Sequence, residues 1–221
     1  TPLTSIKIFS EMLLENEKSL SDKSKNHLEI IEGETDRLTR LINNVLDFSK
    51  IEKGVRGYFF REIHFNIVVK EVIGFMQYTL KMKGFKLETN LGDFNDLICG
   101  DSDAIAEAIE NIVSNAIRFS SDIKIIQVST YSKDNFACVD IKDSGIGIDP
   151  SDLEKIFKDF YRASNTKQFG AEGSGLGLSV VKQIVERHNG TINVQSPSHL
   201  STNKYPGTCV KVTLPFLKKP A

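Results

Sequence analysis

The chain has 221 residues and a mass of 24.7 kDa, room for one substantial core and about half of another at roughly 150 residues per domain. Its 40% apolar and 26% charged composition is that of a packed globular protein and excludes collagen-like, low-complexity and mostly disordered classes. With 28 basic against 29 acidic residues there is no excess field to concentrate a polyanion, so a nucleic-acid partner is not expected.

Cys99, Cys138 and Cys209 are odd in number and lack CxxC spacing. They read as small core hydrophobes in a reducing compartment rather than as a disulfide framework or a zinc site. No run approaches the roughly 18 apolar residues of a membrane helix, and the start of the chain lacks a signal-peptide pattern. A cytoplasmic location is expected, with any membrane attachment left to a parent segment ahead of Thr1.

In chain order, residues 1–57 carry a helical pattern. Pro2 suits a first turn, and Leu3, Ile6, Phe9 and Leu13 follow at helical spacing. A polar stretch over 15–24 interrupts it, and from Leu28 the positions Leu28, Ile31, Thr35, Leu38, Ile42, Val45 and Ser49 form a heptad seam widened by Ile30, Leu41, Leu46 and Phe48. A two-helix hairpin cannot bury such a stripe alone, so a second copy completing a four-helix bundle is expected.

Beyond a break at 54–57 the texture is mixed. Residues 66–82, 101–119 and 178–188 read as helices, and 86–91, 125–131, 137–142, 190–196 and 208–215 as strands. The order predicts an α+β sandwich with one sheet covered on one face by helices, occupying 58–221.

Three features carry chemistry. On the 101–119 helix, Ile105, Ile109, Ile112, Ala116 and Phe119 make the buried stripe, while Glu107, Asn111, Asn115 and Arg118 share another face. Carboxamide oxygens suit Mg²⁺, which takes few protein ligands plus substrate phosphates, and a neighbouring Arg can pair with those phosphates; a merely solvated polar face remains open. Asp143-Ser-Gly-Ile-Gly-Ile-Asp149 follows a strand, where a carboxylate can accept from an exocyclic amine, which adenine has and guanine lacks; a plain turn is the alternative. Gly173-Ser-Gly-Leu-Gly-Leu178 opens a helix and aims N–H groups and the positive dipole end at one place suited to phosphate, yet it is neither a P-loop nor a good dinucleotide fingerprint. Between the last two lies 150–172, long and without strong periodicity, which reads as a mobile lid from which Arg162 and Lys167 can reach phosphate.

In this order the features resemble the catalytic end of a two-component sensor histidine kinase, of the superfamily that shares its ATP fold with Hsp90, DNA gyrase B and MutL. NIVSNAIRFS (111–120) resembles the N box, DSGIGI the G1 box, IFKDFYR (156–162) the F box, GSGLGL the G2 box, and PGTCVKVTLP (206–215) the last Gly-Thr strand. LDFSKIEKG (46–54) is similar to the end of the second dimerisation helix.

The resemblance implies ATP and Mg²⁺ as ligands, with Asn115 on the metal, Asn111 supporting it, and Asp143 on the adenine amine. Gly145, Gly147, Gly173, Ser174, Gly175, Leu176 and Gly177 would shape the pocket and lid hinges, and Arg118 and Arg162 would meet phosphate. Arg118 stands where the family usually has Lys, and Asp159 and Ala104 replace a common Pro and Arg. Related ATPases carry a water-activating Glu at the position of Asn111, so transfer to a side chain is favoured over hydrolysis.

The family's first helix reads His-Glu-x-x-Thr-Pro-Leu, so the acceptor His would lie four residues before Thr1, and Thr1 would correspond to a residue that helps hydrolyse the partner's phosphoryl group. The expectations are a dimerisation and phosphoacceptor hairpin over 1–57 and an ATP-binding domain over 58–221. Phosphoryl transfer to His and then to an Asp of a response regulator follows, with no autophosphorylation by these 221 residues alone. His27, His64, His188 and His199 are assigned ordinary surface roles. A nucleotide-regulated, non-catalytic dimerisation module and a gyrase- or Hsp90-like ATPase are the alternatives.

Overall fold

The structure is a computed structural model that describes residues 2–16, 20–52, 57–120, 122–168, 173–200 and 205–217, with the side chains of 36, 37, 40, 41, 43–52, 167 and 168 left out of that description. Thr1, the side chains of Leu41, Val45, Leu46, Phe48 and Ser49, the break at 54–56, the Lys167 side chain and the lid residues 169–172 therefore lie outside it. The chain divides into two compact units, Thr1–Arg56 and Gly57–Ala221, each of which is described by itself.

The first unit is two packed helices, α1 (Pro2–Asn16) and α2 (Asp22–Glu52). The second begins six residues before its apolar pattern because Ser21 starts it: its hydroxyl accepts the Ser24 N–H at 3.1 Å and its carbonyl the Lys25 N–H at 3.0 Å. Ser10 and Thr35 are buried, their hydroxyls donating to the carbonyls of Ile6 and Ile31 one turn back. Ile6, Phe9, Leu13, Ile31, Leu38 and Ile42 stay 42% to 64% exposed, which leaves much of the predicted stripe uncovered within one chain.

The second unit runs β1 (Arg61–His64), α3 (Phe65–Met82), β2 (Lys86–Leu91), β3 (Leu97–Gly100), α4 (Ser102–Phe119), β4 (Ile125–Lys133), β5 (Phe136–Asp143), α5 (Ser164–Gln168), α6 (Gly177–Arg187), β6 (Thr191–Gln195) and β7 (Cys209–Pro215). Its main sheet has the order β2-β4-β5-β7-β6, with β2 parallel to β4 and the other pairs antiparallel. Asp134 and Asn135, both at positive φ, make the two-residue turn between β4 and β5, a position Asp and Asn tolerate through local side-chain hydrogen bonds. One sheet face carries Ile126, Val128, Ala137, Val139, Ile141, Val210, Val212 and Leu214, which bury against α3, α4 and α6. Each fully buried Ile, Val or Leu contributes about 1.5–3 kcal/mol. The α+β sandwich is thus as expected.

The sequence pattern misses β1 and β3, a four-residue antiparallel ribbon in which Arg61 pairs with Gly100 and His64 with Leu97. Strands of only four residues show no alternation to read. Two expectations fail. Cys138 and Cys209 are buried but Cys99 is exposed, because it faces outward on the ribbon; all three are free thiols. His188 is 2% exposed rather than at the surface.

Candidate nucleotide site

Helix α4 starts where Asp101 caps it: Oδ1 accepts the N–H groups of Asp103 and Ala104, both at 3.0 Å, a cap of about 1 kcal/mol. Its oxygens feel opposing effects. Burial pushes the Asp101 carboxyl up, yet the N–H groups of Phe59, Ala104 and Asp103 together hold it below the usual range. The apolar stripe buries Ile105, Ile109, Ile112 and Ala116 and turns the opposite face, with Asn111, Asn115 and Arg118, toward the start of α6.

That start is where the two boxes meet. A Cβ on Gly177 would lie 3.4 Å from Asn111 Oδ1 and 3.7 Å from Asn115 Nδ2, so both carboxamides border the first turn of α6. Asn111 Nδ2 donates to the Glu107 carbonyl at 3.0 Å, which fixes its orientation. Leu176, fully buried, is the N-cap residue of α6, and it contributes no capping side chain. A first turn without a side-chain cap leaves its N–H groups to face a ligand or solvent. Ser174 accepts the Leu176 N–H at 3.3 Å. Gly173 lies against Arg118, with its Cβ position 2.9 Å from Nη1.

Gly175 is left-handed, φ +73°, and a Cβ there would meet Phe160 C at 2.6 Å and Tyr161 O at 2.8 Å. The G2 turn is therefore wedged against the F-box backbone, where Phe160 itself has φ +60°. The F-box segment is not a free lid over its described part. Ile156 and Ala163 are buried, and Asp152 accepts the Tyr161 hydroxyl at 2.6 Å, the Ser164 N–H at 2.8 Å and the Ser164 hydroxyl at 2.9 Å. These bonds, the Tyr161 hydroxyl first, hold the Asp152 carboxyl below its ordinary range, and Asp152 in turn pushes the Tyr161 hydroxyl up. Arg162 sits half-buried in this tethered stretch. The expectation of a mobile segment across 150–172 is corrected for 150–166, because a periodicity argument does not register carboxylate tethers.

Asp143 ends β5 and is nine-tenths buried. Its Oδ1 accepts the N–H groups of Gly145 at 2.8 Å and Thr208 at 3.1 Å. Burial nevertheless dominates and pushes its carboxyl up to about 6, the two N–H donors offsetting only part of the desolvation. Gly145 packs on the end of α4: a Cβ would strike the Phe119 carbonyl at 2.5 Å, and that carbonyl accepts the Ile146 N–H at 3.0 Å. Gly147, φ +69°, faces Pro206 and Ser196, and its carbonyl accepts from Asn165 at 2.9 Å. Ser144, fully buried, donates to the Ile123 carbonyl at 2.8 Å and so joins this turn to the approach to β4.

Four residues of α helix separate Asn115 from Phe119, about 6 Å at 1.5 Å per residue. The Asp143 carboxylate, whose turn packs on the Phe119 carbonyl, and the carboxamide pair at Asn111 and Asn115 therefore lie at the same end of α4. Thr208, Asp152, Ser144 and Asp101 escape the sequence reading, though the Gly-Thr strand signal marks Thr208. The described residues hold no cluster of three His, Cys, Asp or Glu able to hold a metal. No described helix is long and apolar enough to cross a membrane.

The fold and site define a nucleotide-binding α/β unit, and the chain also carries a helical hairpin. Residues 100–218 match the family described as histidine kinase-, DNA gyrase B- and HSP90-like ATPase, and residues 1–54 match the His kinase A (phospho-acceptor) domain. The sensor histidine kinase WalK of Bacillus subtilis is 29% identical over 98% of this chain and 34% of its own length. Full-length ShkA in complex with AMPPNP has a TM-score of 0.74 at 19% identity, covering 100% of this chain and 44% of that one. ThkA in complex with the response regulator TrrA has a TM-score of 0.68 at 21% identity, covering 98% and 58%. The chain belongs to the histidine kinase-, DNA gyrase B- and HSP90-like ATPase family. It spans about a third of the length of the curated relatives it matches.

Proposed function

We propose that this chain is a kinase core that binds Mg·ATP and passes the γ-phosphoryl group to a histidine of the phosphoacceptor helix, placed by the family pattern ahead of Thr1, and from there to an Asp of a response regulator. The observation that carries the reading is the junction of α4 and α6, where Asn111 and Asn115 border Gly177. Asp143 would accept the adenine amine, Thr208 and Gly145 holding its other oxygen. The first turn of α6 would bind phosphate through N–H groups, and Gly177 is small enough to admit it. Arg118 and Arg162 would pair with phosphate oxygens as forks, with Lys167 adding a point charge.

The residues fit Mg²⁺, because a single neutral carboxamide oxygen from Asn115 would leave most positions for phosphate and water, as this ion prefers. When bound, the ion would neutralise phosphate charge. Asn111 carries no carboxylate, so it cannot deprotonate a water, which favours transfer over hydrolysis. Catalysis is then positioning and charge neutralisation.

The half-exposed stripe on α1 and α2 supports pairing with a second copy into a four-helix bundle. The ThkA complex with a response regulator supports a receiver-domain partner on that bundle. Thr1 would act on the partner's phosphoryl group. The domain division is a hairpin over 1–57 and a catalytic domain over 58–221, working in the cytoplasm. The intact protein incubated with labelled Mg·ATP should acquire acid-labile label on histidine and lose it to a receiver domain. Rapid release of inorganic phosphate with no protein-bound label would overturn the reading.

A further inference from the structure

His188 sits at the C-terminal end of α6 with its ring held at both nitrogens. Nδ1 donates to the Ile184 carbonyl at 2.7 Å, and Nε2 accepts the Asp101 N–H at 2.9 Å. The partners fix these roles, since a carbonyl only accepts and a backbone N–H only donates. Asp101 is also the N-cap of α4, and its Oδ2 takes the Phe59 N–H at 2.9 Å. The Phe60 ring lies 4.9 Å from the imidazole and the Tyr58 ring meets it edge-on at 5.8 Å. A Cβ on Gly100 would come within 3.0 Å of His188 Cδ2 and 2.9 Å of Ile105 Cδ1, so the imidazole is seated closely against Gly100.

The two helices joined by this imidazole are the two that meet at the phosphate end of the site. Between them lie Ile105, Ala108, Ile109, Ile184 and Val185, apolar side chains lining one small interstice with His188. Apolar burial is non-directional, whereas the Ile184 bond fixes the imidazole on α6 and the Asp101 bond ties that fixed ring to the start of α4. We propose that His188 is a positioning residue of the nucleotide site: it fixes the axial register of α6 on α4, and thereby the placement of the first turn of α6 against Asn111 and Asn115. This rests on the reading of the site as one for Mg·ATP. Register acts on the phosphate end alone, because Asp143 belongs to β5 and is anchored by Gly145 and Thr208.

The test uses the 221-residue chain, below the unfolding midpoint of each variant, with Mg·ATP measured by calorimetry and adenosine by chemical-shift titration. His188→Leu should weaken Mg·ATP at least tenfold and leave adenosine within twofold. His188→Gln, which keeps a donor and an acceptor, should recover most of the loss. His188→Asn, which can reach Ile184 but not Asp101, should behave like Leu. An unchanged Mg·ATP affinity in His188→Leu, or an equal loss for both ligands, overturns the proposal. If the Leu variant does not fold, equal Mg·ATP affinities in the Gln and Asn variants overturn it instead. A wild-type chain that binds no Mg·ATP overturns the nucleotide reading and the proposal together, whereas wild-type binding with insensitive variants overturns the proposal alone.

Discussion

Thr208 donates its backbone N–H to Asp143 Oδ1 at 3.1 Å across 65 residues of chain, onto the same oxygen that accepts from Gly145. Both donors on one oxygen leave the other carboxylate oxygen to a ligand, while burial still holds the carboxyl at about 6 against an ordinary 3.8. A carboxyl raised in this way favours folding while it is protonated. That contribution is complete below pH 3.8 and is lost as pH rises through about 6. At pH 7.5 the ionised group therefore opposes folding by something on the order of 2–3 kcal/mol. Asp143→Asn keeps an acceptor for both N–H groups and removes that charge. It should raise the thermal midpoint at pH 7.5, by a margin that shrinks toward pH 4.5, and eliminate the Mg·ATP binding heat. A lowered midpoint at neutral pH would contradict the burial account. Wild-type affinity for ATP should fall as pH drops below 6.

Two glycines in the same box should respond differently to a methyl group. Gly175→Ala combines φ +73° with a 2.6 Å approach to the Phe160 backbone, so it should cost about 1–3 kcal/mol of stability and most of the nucleotide affinity. Gly177→Ala has ordinary φ and 3.4 Å of clearance from Asn111 Oδ1. It should leave the unfolding midpoint within about 2 °C, on the order of half a kcal/mol or less for a domain of this size, and lower Mg·ATP affinity by narrowing the space between the carboxamides. Equal stability loss in both would refute the distinction.

Asn115 is assigned to the metal, and its removal should uncouple nucleotide from cation. In the wild type, Mg²⁺ should strengthen ATP binding. In Asn115→Ala, calorimetric affinity for ATP should be the same with Mg²⁺ as with EDTA. A preserved Mg²⁺ dependence would move the metal elsewhere.

Asp152 tethers the F-box segment through Tyr161 and Ser164. Tyr161→Phe should accelerate amide hydrogen exchange over 160–166 and leave exchange in β4 and β5 unchanged. The Asp152 carboxyl lies below its ordinary range, so the tether should hold at neutral pH and be lost only as pH falls below the ordinary value of 3.8. Exchange that is unaltered in the variant would mean the segment is held by its buried Ile156 and Ala163 instead.

Leu38 and Ile42 remain 46% and 47% exposed on α2. Leu38→Glu places a charge in the proposed bundle seam and should convert a dimer to a monomer in sedimentation equilibrium, with Mg·ATP affinity unchanged. A monomeric wild type would remove the bundle from the reading.

The sequence discloses the site better than the frame that holds it. The boxes around Asn111, Asp143, Gly175 and Gly177 are contiguous motifs, and the two faces of α4 follow from helical spacing. What stays hidden is long-range. Asp101 and His188 are 87 positions apart, and nothing in the periodicity near either tells that one will accept the other's N–H. His188 reads as a helix-ending polar residue until α4 is laid beside α6. Asp152 looks like a surface charge because its partners are two hydroxyls and an N–H rather than a cation. The parallel pairing of β2 with β4 is likewise set by α4 crossing between them, a tertiary event without a local signature.

β5 and β7 are neighbours in the sheet, yet the described residues between them carry the G1 turn, the F box, α5 and α6 outside it and β6 at its edge. Closing an excursion of that size is cheap to vary, since doubling a flexible loop adds only about 0.6 kcal/mol. Length changes after the Asp152 tethers need not shift the register of β5 on β7, so that part of the excursion can diversify while the proposed adenine contact at Asp143 stays where it is.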